Sequence, residues 1–130
     1  MATVTFVDET TSGQRSDGWH LEIFEERLPL REVIRRRVFQ EVAEHNARGG
    51  ETFRGLVQPT GAERTLNGFR LPKVRRVDAE EQFTRAVEAF SRNGFVVLVD
   101  NRQVEELNTT IELSLGTEIT FLKLVPLVGG

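Results

Sequence analysis

The residue types of this 130-residue chain restrict the nucleophilic and metal-binding chemistry that its side chains could perform. The sequence contains no cysteine, which excludes a thiol nucleophile, a thiolate metal site and a disulfide framework. Its two histidines, His20 and His45, leave little material for a metal site. Glu41 lies one helical turn before His45 and suggests general-base chemistry, but no nucleophile or triad motif accompanies the pair. We interpret His45 as a surface histidine near a helix end, and we predict no metal site, no cofactor and no enzymatic activity.

Composition limits the class of protein further. With 38% hydrophobic and 28% charged residues, the chain has the make-up of one compact globular domain. A net charge of −3 argues against a general nucleic-acid binder, so we expect no nucleic-acid partner. No apolar stretch is long enough to span a membrane, and the first residues do not resemble a secretion signal. We therefore expect a cytoplasmic protein without a membrane partner.

The first third of the chain predicts two strands and a helix. Residues 3–7 alternate and are rich in β-branched types, residues 8–18 form a polar hairpin loop, and residues 19–24 alternate again. Pro29 suits the first turn of a helix over residues 29–47, which ends before Gly49 and Gly50. One face of this helix is an apolar stripe: Leu30, Val33, Ile34, Val38 and Val42.

The middle of the chain is the hardest part to interpret. Residues 51–77 contain apolar residues broken by turn signals, among them Phe53, Leu56, Val57, Leu66, Phe69 and Leu71. They predict a partly ordered insertion, about 48–78, with one or two short strands or turns. Asn67 and Gly68 form a tight-turn pair. Asp78 and Glu81 have the spacing of a capping box, which predicts a second helix over residues 79–92.

The last third predicts strands. Residues 95–99 are an uninterrupted apolar run, typical of a central strand that is buried on both faces. Asp100 and Asn101 signal a turn, a short return strand begins at Gln103, and residues 118–125 alternate up to Pro126. We therefore predict an α+β fold, a mixed sheet packed on one long helix, as a single domain over residues 1–130. Parallel pairing of the first and last strands would make the sheet a β-grasp, but periodicity does not establish that pairing.

Two clusters of basic residues need an interpretation. Arg35, Arg36 and Arg37 follow one another in the first helix and could form a phosphate or nucleic-acid patch. Glu32 and Glu41 reduce the net positive charge of this part of the helix. We therefore favour a solvated helix face with ion pairs one turn apart. The second cluster, made of Arg70, Lys73, Arg75 and Arg76, would suit an acidic partner surface.

The segment from Val97 onward resembles the ubiquitin-like β-grasp superfamily. The resemblance lies in residues 97–104, 109–115, 118–122 and 126–130. It is similar to the small sulfur carriers of molybdopterin and thiamine synthesis and to bacterial ubiquitin-like modifiers, which end in a strand, an often apolar tail and a diglycine. Residues 3–46 resemble the family in topology only, and the insertion and second helix depart from its minimal pattern.

This resemblance implies a function for the flexible tail, residues 126–130. Gly130 would be the residue that an E1-like enzyme, with ATP bound to that enzyme, activates as an acyl-adenylate. Gly129 and Gly130 would pass through a narrow channel because glycine has no Cβ. Pro126, Leu127 and Val128 would form the apolar part of the tail that the enzyme recognises. The sequence ends at Gly130, so the resemblance implies that no protease is needed to mature it.

Three functions remain open at this point. The first is a bacterial protein modifier transferred to an amine of a target protein, with an E2-like conjugating enzyme and a deconjugating peptidase as further partners. The second is a sulfur carrier with a C-terminal thiocarboxylate for cofactor or amino-acid biosynthesis. The third is a scaffold domain in which Trp19 and residues 51–77 form an interaction surface. Self-association into a homo-oligomer would be compatible with the first and third.

Overall fold

The computed structural model describes residues 2–16, 18–65, 68–71, 75–114 and 116–124 of the chain. Within these residues the fold is α+β, as predicted. Its elements in chain order are β1 (Ala2–Thr10), β2 (Trp19–Ile23), β3 (Arg27–Pro29), α1 (Leu30–Arg48), β4 (Thr52–Phe53), β5 (Glu63–Thr65), β6 (Gly68–Arg70), α2 (Ala79–Ser91), β7 (Phe95–Val99), β8 (Arg102–Val104), β9 (Thr110–Glu112) and β10 (Glu118–Lys123).

The chain divides into two compact units. The first unit consists of Met1–Glu32 and Phe90–Gly130, and the second is the intervening segment Val33–Ala89. Our assignment of a single ubiquitin-like domain to residues 1–130 stays a prediction.

The first unit contains a mixed five-stranded sheet in the order β2-β1-β10-β7-β8. The central strand, β10, runs parallel to its neighbour β1, while β1–β2, β10–β7 and β7–β8 are antiparallel pairs. The parallel pairing of the first and last strands is therefore present.

One face of this sheet carries a row of aromatic rings. Phe6 lies opposite Trp19 in the register, with ring centroids 4.9 Å apart, and contacts Phe121 at 5.7 Å. Phe121 also contacts Phe95, at 6.0 Å. Such rings bury large apolar areas and favour tilted contacts at these distances, so they stabilise the pairing of four strands at once.

Three predictions for the first unit need correction. β1 continues to Thr10 because its polar end pairs with β10, up to Thr10 opposite Lys123, so the hairpin loop begins only at Thr11. Pro29 is the last residue of β3, opposite Thr110, and not part of the helix. β7 is buried on one face only, since Val96 is half-buried, as is Leu98.

The start of α1 follows directly from β3. The first N–H groups of a helix have no partner inside it. Here the N–H of Leu30 donates to Thr109 O and that of Arg31 to Leu107 O, both at 2.9 Å. The segment before β9 therefore caps this helix with its carbonyl groups.

The second unit combines most of α1, a small sheet and α2. The predicted apolar stripe of α1 is buried throughout, from Leu30 in the first unit to Val42. α2 begins as predicted, since the N–H of Glu81 donates to Asp78 Oδ1 at 3.0 Å. It ends before Asn93, whose φ of 59° is the left-handed conformation that commonly terminates helices.

Residues 51–77 contain more regular structure than we predicted. They form an antiparallel sheet in the order β4-β6-β5, with Phe53 opposite Phe69. Both rings are buried, and they give this short sheet an apolar inner face. Asn67, the first residue of the predicted tight turn, lies outside the described residues.

Candidate functional site

The tail that we predicted as the reactive segment lies outside the described residues. This applies to all five of its residues, Pro126, Leu127, Val128, Gly129 and Gly130. Their roles in activation and recognition stay predictions. What the structure describes is the strand that leads into them, β10, and the residue that follows, Leu124.

The end of β10 is held by hydrogen bonds on both sides. The N–H of Thr11 donates to Lys123 O at 3.2 Å, and the N–H of Leu124 donates to Gly94 O at 3.1 Å. We call these four residues the tail root. The backbone is thus tied to both neighbouring strands as far as residue 124, so the following segment starts from a fixed position between β1 and β7.

The sheet face opposite the aromatic rings carries an arginine between two carboxylates. Arg15, in the hairpin loop, donates through Nη1 to Glu9 Oε1 and through Nη2 to Glu118 Oε1, the latter at 2.8 Å. The hydrogen bonds to Glu118 and then to Glu9 raise the pKa of Arg15 above its ordinary value. We call this arrangement the arginine bridge.

The register shows what lies beneath this bridge. Glu9 is on β1 and Glu118 is on β10, where Thr5 is the partner of Glu118. Val7 and Thr120 are partners at the position between them on the same face, and both are buried. A guanidinium that joins the two carboxylates must therefore pass across this central pair.

The rest of this outer face is partly apolar. Leu122 and Val96 are partners, Leu98 is opposite Thr120, and all three aliphatic side chains are half-buried. Together with the carboxylates of the arginine bridge, they can provide apolar and ionic contacts to another molecule. These side chains therefore suit recognition of a partner.

The second unit contains two buried polar residues, His45 and Arg37, that we predicted to be exposed to solvent. His45 is 1% exposed and not on the surface: its ring lies edge-on to Phe53 at 5.3 Å, and its Nε2 is 3.4 Å from Arg75 O. Among the described residues, its Nδ1 has no hydrogen-bond partner. Arg37 is also 1% exposed, with Nη2 3.4 Å from Glu41 Oε2, so it does not belong to a solvated helix face.

Helical spacing could have indicated this burial. Arg37, Glu41 and His45 follow Val33 at steps of four residues, which places them along one side of α1 next to the apolar stripe. Charged and imidazole side chains commonly indicate solvent exposure, whereas this spacing predicts that the three side chains share one environment beside the apolar stripe.

The other predicted basic residues lie in different settings. Arg35 makes two hydrogen bonds to Glu80, at 2.5 and 3.2 Å, and its guanidinium lies 4.3 Å from the centre of the Phe39 ring. Arg75 donates to the carbonyl of Thr60. Arg70 and Arg76 are exposed, and Lys73 lies outside the described residues.

Comparisons with known proteins add no relative: no family model, no curated protein and no solved structure matches this chain. Neither helix in the described part of the chain is long and apolar enough to cross a membrane. Within the same residues, no three histidine, aspartate or glutamate side chains come together in a way that could hold a metal ion.

Proposed function

We propose that this protein is a ubiquitin-like modifier with a β-grasp fold. The observation that carries the proposal is the parallel pair β1–β10 at the centre of the sheet, with the hairpin strand β2 on one side and β7–β8 on the other. This arrangement supports the β-grasp interpretation of the C-terminal sequence pattern. In this proposal the small sheet with α2 elaborates the basic fold.

The hydrogen bonds of the tail root are a second observation that supports the proposal. A carrier of this kind must present its C-terminus to an enzyme from a rigid base. Here the hydrogen bonds of Lys123 and Leu124 fix the chain to both neighbouring strands just before the tail. Six residues then separate Leu124 from the end of the sequence, and the last two are Gly129 and Gly130.

The reaction that we propose takes place on the Gly130 carboxylate. A carboxylate oxygen forms a bond to the α-phosphorus of ATP, and pyrophosphate leaves. A thiol of a partner enzyme or an amine of a target then attacks the carbonyl carbon and loses its proton, and AMP leaves. The partner supplies catalysis and binds ATP, while this protein is the substrate and carrier.

The proposal implies a set of partners. They are an E1-like adenylating enzyme, a target protein, an E2-like conjugating enzyme and a peptidase that reverses the linkage. Because the first step consumes ATP, the proposal assigns the reaction to the cytoplasm.

ATP–pyrophosphate exchange with a purified E1-like adenylating enzyme from the same organism tests the function. We expect the chain ending at Gly130 to support ATP–pyrophosphate exchange and a chain without Gly130 to lose it, because the enzyme then meets the Val128-Gly129 end one residue too early. Arg102→Gln, a change at an exposed position of β8, serves as the control and should leave exchange unchanged. Full exchange by the truncated chain would overturn the proposal.

Two mass measurements separate the modifier from the sulfur carrier. The apolar residues Pro126, Leu127 and Val128 are the feature that favours the carrier. Isopeptide-linked glycine remnants on other proteins support the modifier, whereas replacement of one terminal oxygen by sulfur in the intact chain supports the carrier. Intact mass also tests whether Gly130 is the terminus in the cell. A cellular role that is indifferent to loss of Gly130 would instead favour the scaffold.

A further inference from the structure

The two units of this chain carry opposite net charge. Val33–Ala89 contains eleven basic and eight acidic residues, a formal charge of +3. The remainder of the chain contains six basic and twelve acidic residues, a formal charge of −6. A division of this kind within one chain provides two surfaces of opposite sign for contact with other molecules.

In the second unit, positive charge lies on the outer face of the small sheet. Side chains alternate between the faces of a strand, and Phe53 and Phe69 occupy the inner face. Arg70, whose register partners are Thr52 and Glu63, therefore projects from the outer face. Arg54, the residue after β4, continues this alternation, and its side chain lies close to Gly68 on the same face. We call this surface the basic face, which also carries Thr52, Glu63 and Thr65.

The charge of the basic face is available for contact. Arg54, Arg70 and Glu63 are exposed, and within the described part of the chain neither arginine has an ion pair. Two guanidinium groups with only one carboxylate nearby leave an excess of positive charge. Because arginine presents several donors in a planar fork, it is well suited to bind carboxylates of another molecule.

In the first unit, negative charge lies around β3 and β9. The N–H of Leu113 donates to Glu26 O, and that of Arg31 donates to Leu107 O, so residues 107–113 run antiparallel to residues 26–31. Glu26 lies at one end of this pair of segments, and Glu105 and Glu106 lie at the other end. Glu26, Glu105 and Glu106 are exposed, and none has an ion pair among the described residues. We call these three carboxylates the acidic edge.

We propose that the basic face of one molecule docks on the acidic edge of a second copy of this chain. The basis is charge complementarity, since both unpaired surfaces belong to the same sequence. Each copy contributes a different surface to such a contact, so the contact is heterologous, and the resulting dimer still offers one free basic face and one free acidic edge. Assembly therefore continues beyond the dimer at high protein concentration. It does not depend on the chemistry at Gly130.

Sedimentation velocity of the full chain is the first test. Screening shortens the range of the attraction from about 10 Å at 0.1 M salt to about 3 Å at 1 M. We expect self-association at low salt that weakens at least tenfold at high salt. A chain that stays monomeric at low salt and high protein concentration would overturn the proposal, as would association that does not depend on salt.

Charge reversal locates the contact. The double variant Arg54→Glu with Arg70→Glu should associate at least tenfold more weakly than the wild type. The matched control, Arg92→Glu with Arg102→Glu, changes the net charge equally at exposed positions outside the basic face and should associate several-fold more strongly than the first variant. Equal loss in both would show that total charge matters and the basic face does not. Neutral glutamine variants at positions 54 and 70 repeat the test if the reversed variant unfolds.

A mixing experiment tests whether the molecule that binds the basic face is a second copy of this chain. Glu105→Arg with Glu106→Arg should also abolish association, whereas an equimolar mixture with the Arg54→Glu, Arg70→Glu variant should restore it, because opposite charges then meet again. Failure of the mixture to associate would overturn the second copy as the occupant. Tight binding of single-stranded RNA by a monomeric wild-type chain, lost in Arg54→Glu with Arg70→Glu, would assign the basic face to nucleic acid instead.

Discussion

Arg37 and Glu41 place two opposite charges in a buried environment of the second unit. Removing one partner of a buried ion pair is more harmful than removing both, because the remaining charge stays desolvated. We expect Glu41→Ala to lower the free energy of unfolding by about 3 kcal/mol, measured by urea denaturation.

Glu44 provides the matched control for this experiment. It lies on the same helix, one turn before Arg48, and its exposed carboxylate accepts a hydrogen bond from Gln40. Glu44→Ala should change the free energy of unfolding by less than about 0.5 kcal/mol. Equal effects of the two variants would show that the buried pair has no special role in stability.

Glu80 should make stability depend on pH. Its hydrogen bonds from Arg35 lower the pKa of this carboxyl below its ordinary value. A lowered pKa in the folded state contributes stability above the ordinary pKa of the unfolded carboxyl, about 4.3, and this contribution is lost as the pH falls through the lowered value. The difference in unfolding free energy between the wild type and Glu80→Gln should therefore shrink from pH 6 toward strongly acidic pH.

Glu88→Gln serves as the control on the same helix, because Glu88 is exposed and has no ion pair among the described residues. Its difference from the wild type should vary less with pH than that of Glu80→Gln. An NMR titration of the Glu80 carboxyl gives a direct check, and an unshifted midpoint would contradict this prediction.

At the scale of residues, burial was predicted correctly where an apolar side chain lies at a helical position that faces the core. The stripe from Leu30 to Val42 is apolar and correctly spaced, and it is buried. Arg37 and His45 have the same helical spacing but are polar, and they are buried nevertheless. Sequence alone does not show which carboxylate or ring will compensate a buried polar group, because such partners come from packing.

At the scale of elements, the side chain of Asn46 connects α1 to the segment before α2 by two hydrogen bonds. The Asn46 amide donates to Val77 O at 3.0 Å and accepts from the N–H of Val77 at 2.8 Å. Val77 is buried, so loss of these bonds leaves two backbone groups without partners at a site that water reaches poorly. We expect Asn46→Ala to lower the free energy of unfolding by about 2 kcal/mol, measured by thermal or urea denaturation.

Asn46→Asp separates the two hydrogen bonds. The carboxylate can still accept from the N–H of Val77, but it cannot donate to Val77 O. We expect an intermediate loss of stability at neutral pH. Wild-type stability of Asn46→Ala would show that the two bonds do not stabilise this connection.

Elements were predictable where local periodicity is strong. Both helices and the strands β2, β7 and β10 follow from spacing and capping residues, within one or two residues at their ends. The extension of β1 to Thr10 and the assignment of Pro29 to β3 depend on partner strands far away in sequence. The strands β4, β5 and β6 contain two or three residues each, which is too short for a periodic signal.

At the scale of the whole molecule, the sequence indicated an α+β fold and a candidate tail but not the strand order. The strand order depends on which strands pair along their edges, and local sequence patterns do not contain that information. The candidate site at Gly129 and Gly130 was suggested by resemblance and remains to be tested by the pyrophosphate-exchange experiment. The charge-reversal variants test the basic face, and these measurements require only the purified chain.

The parallel pair at the centre of the sheet has a consequence for how the protein is made. β1 leaves the ribosome well before its parallel partner, β10, because all the other elements lie between them in the sequence. Contacts of such large sequence separation form slowly, whereas the contacts within Val33–Ala89 need only one continuous stretch of chain. During synthesis β1 must therefore wait with one edge unpaired, which makes it a segment that chaperones would protect.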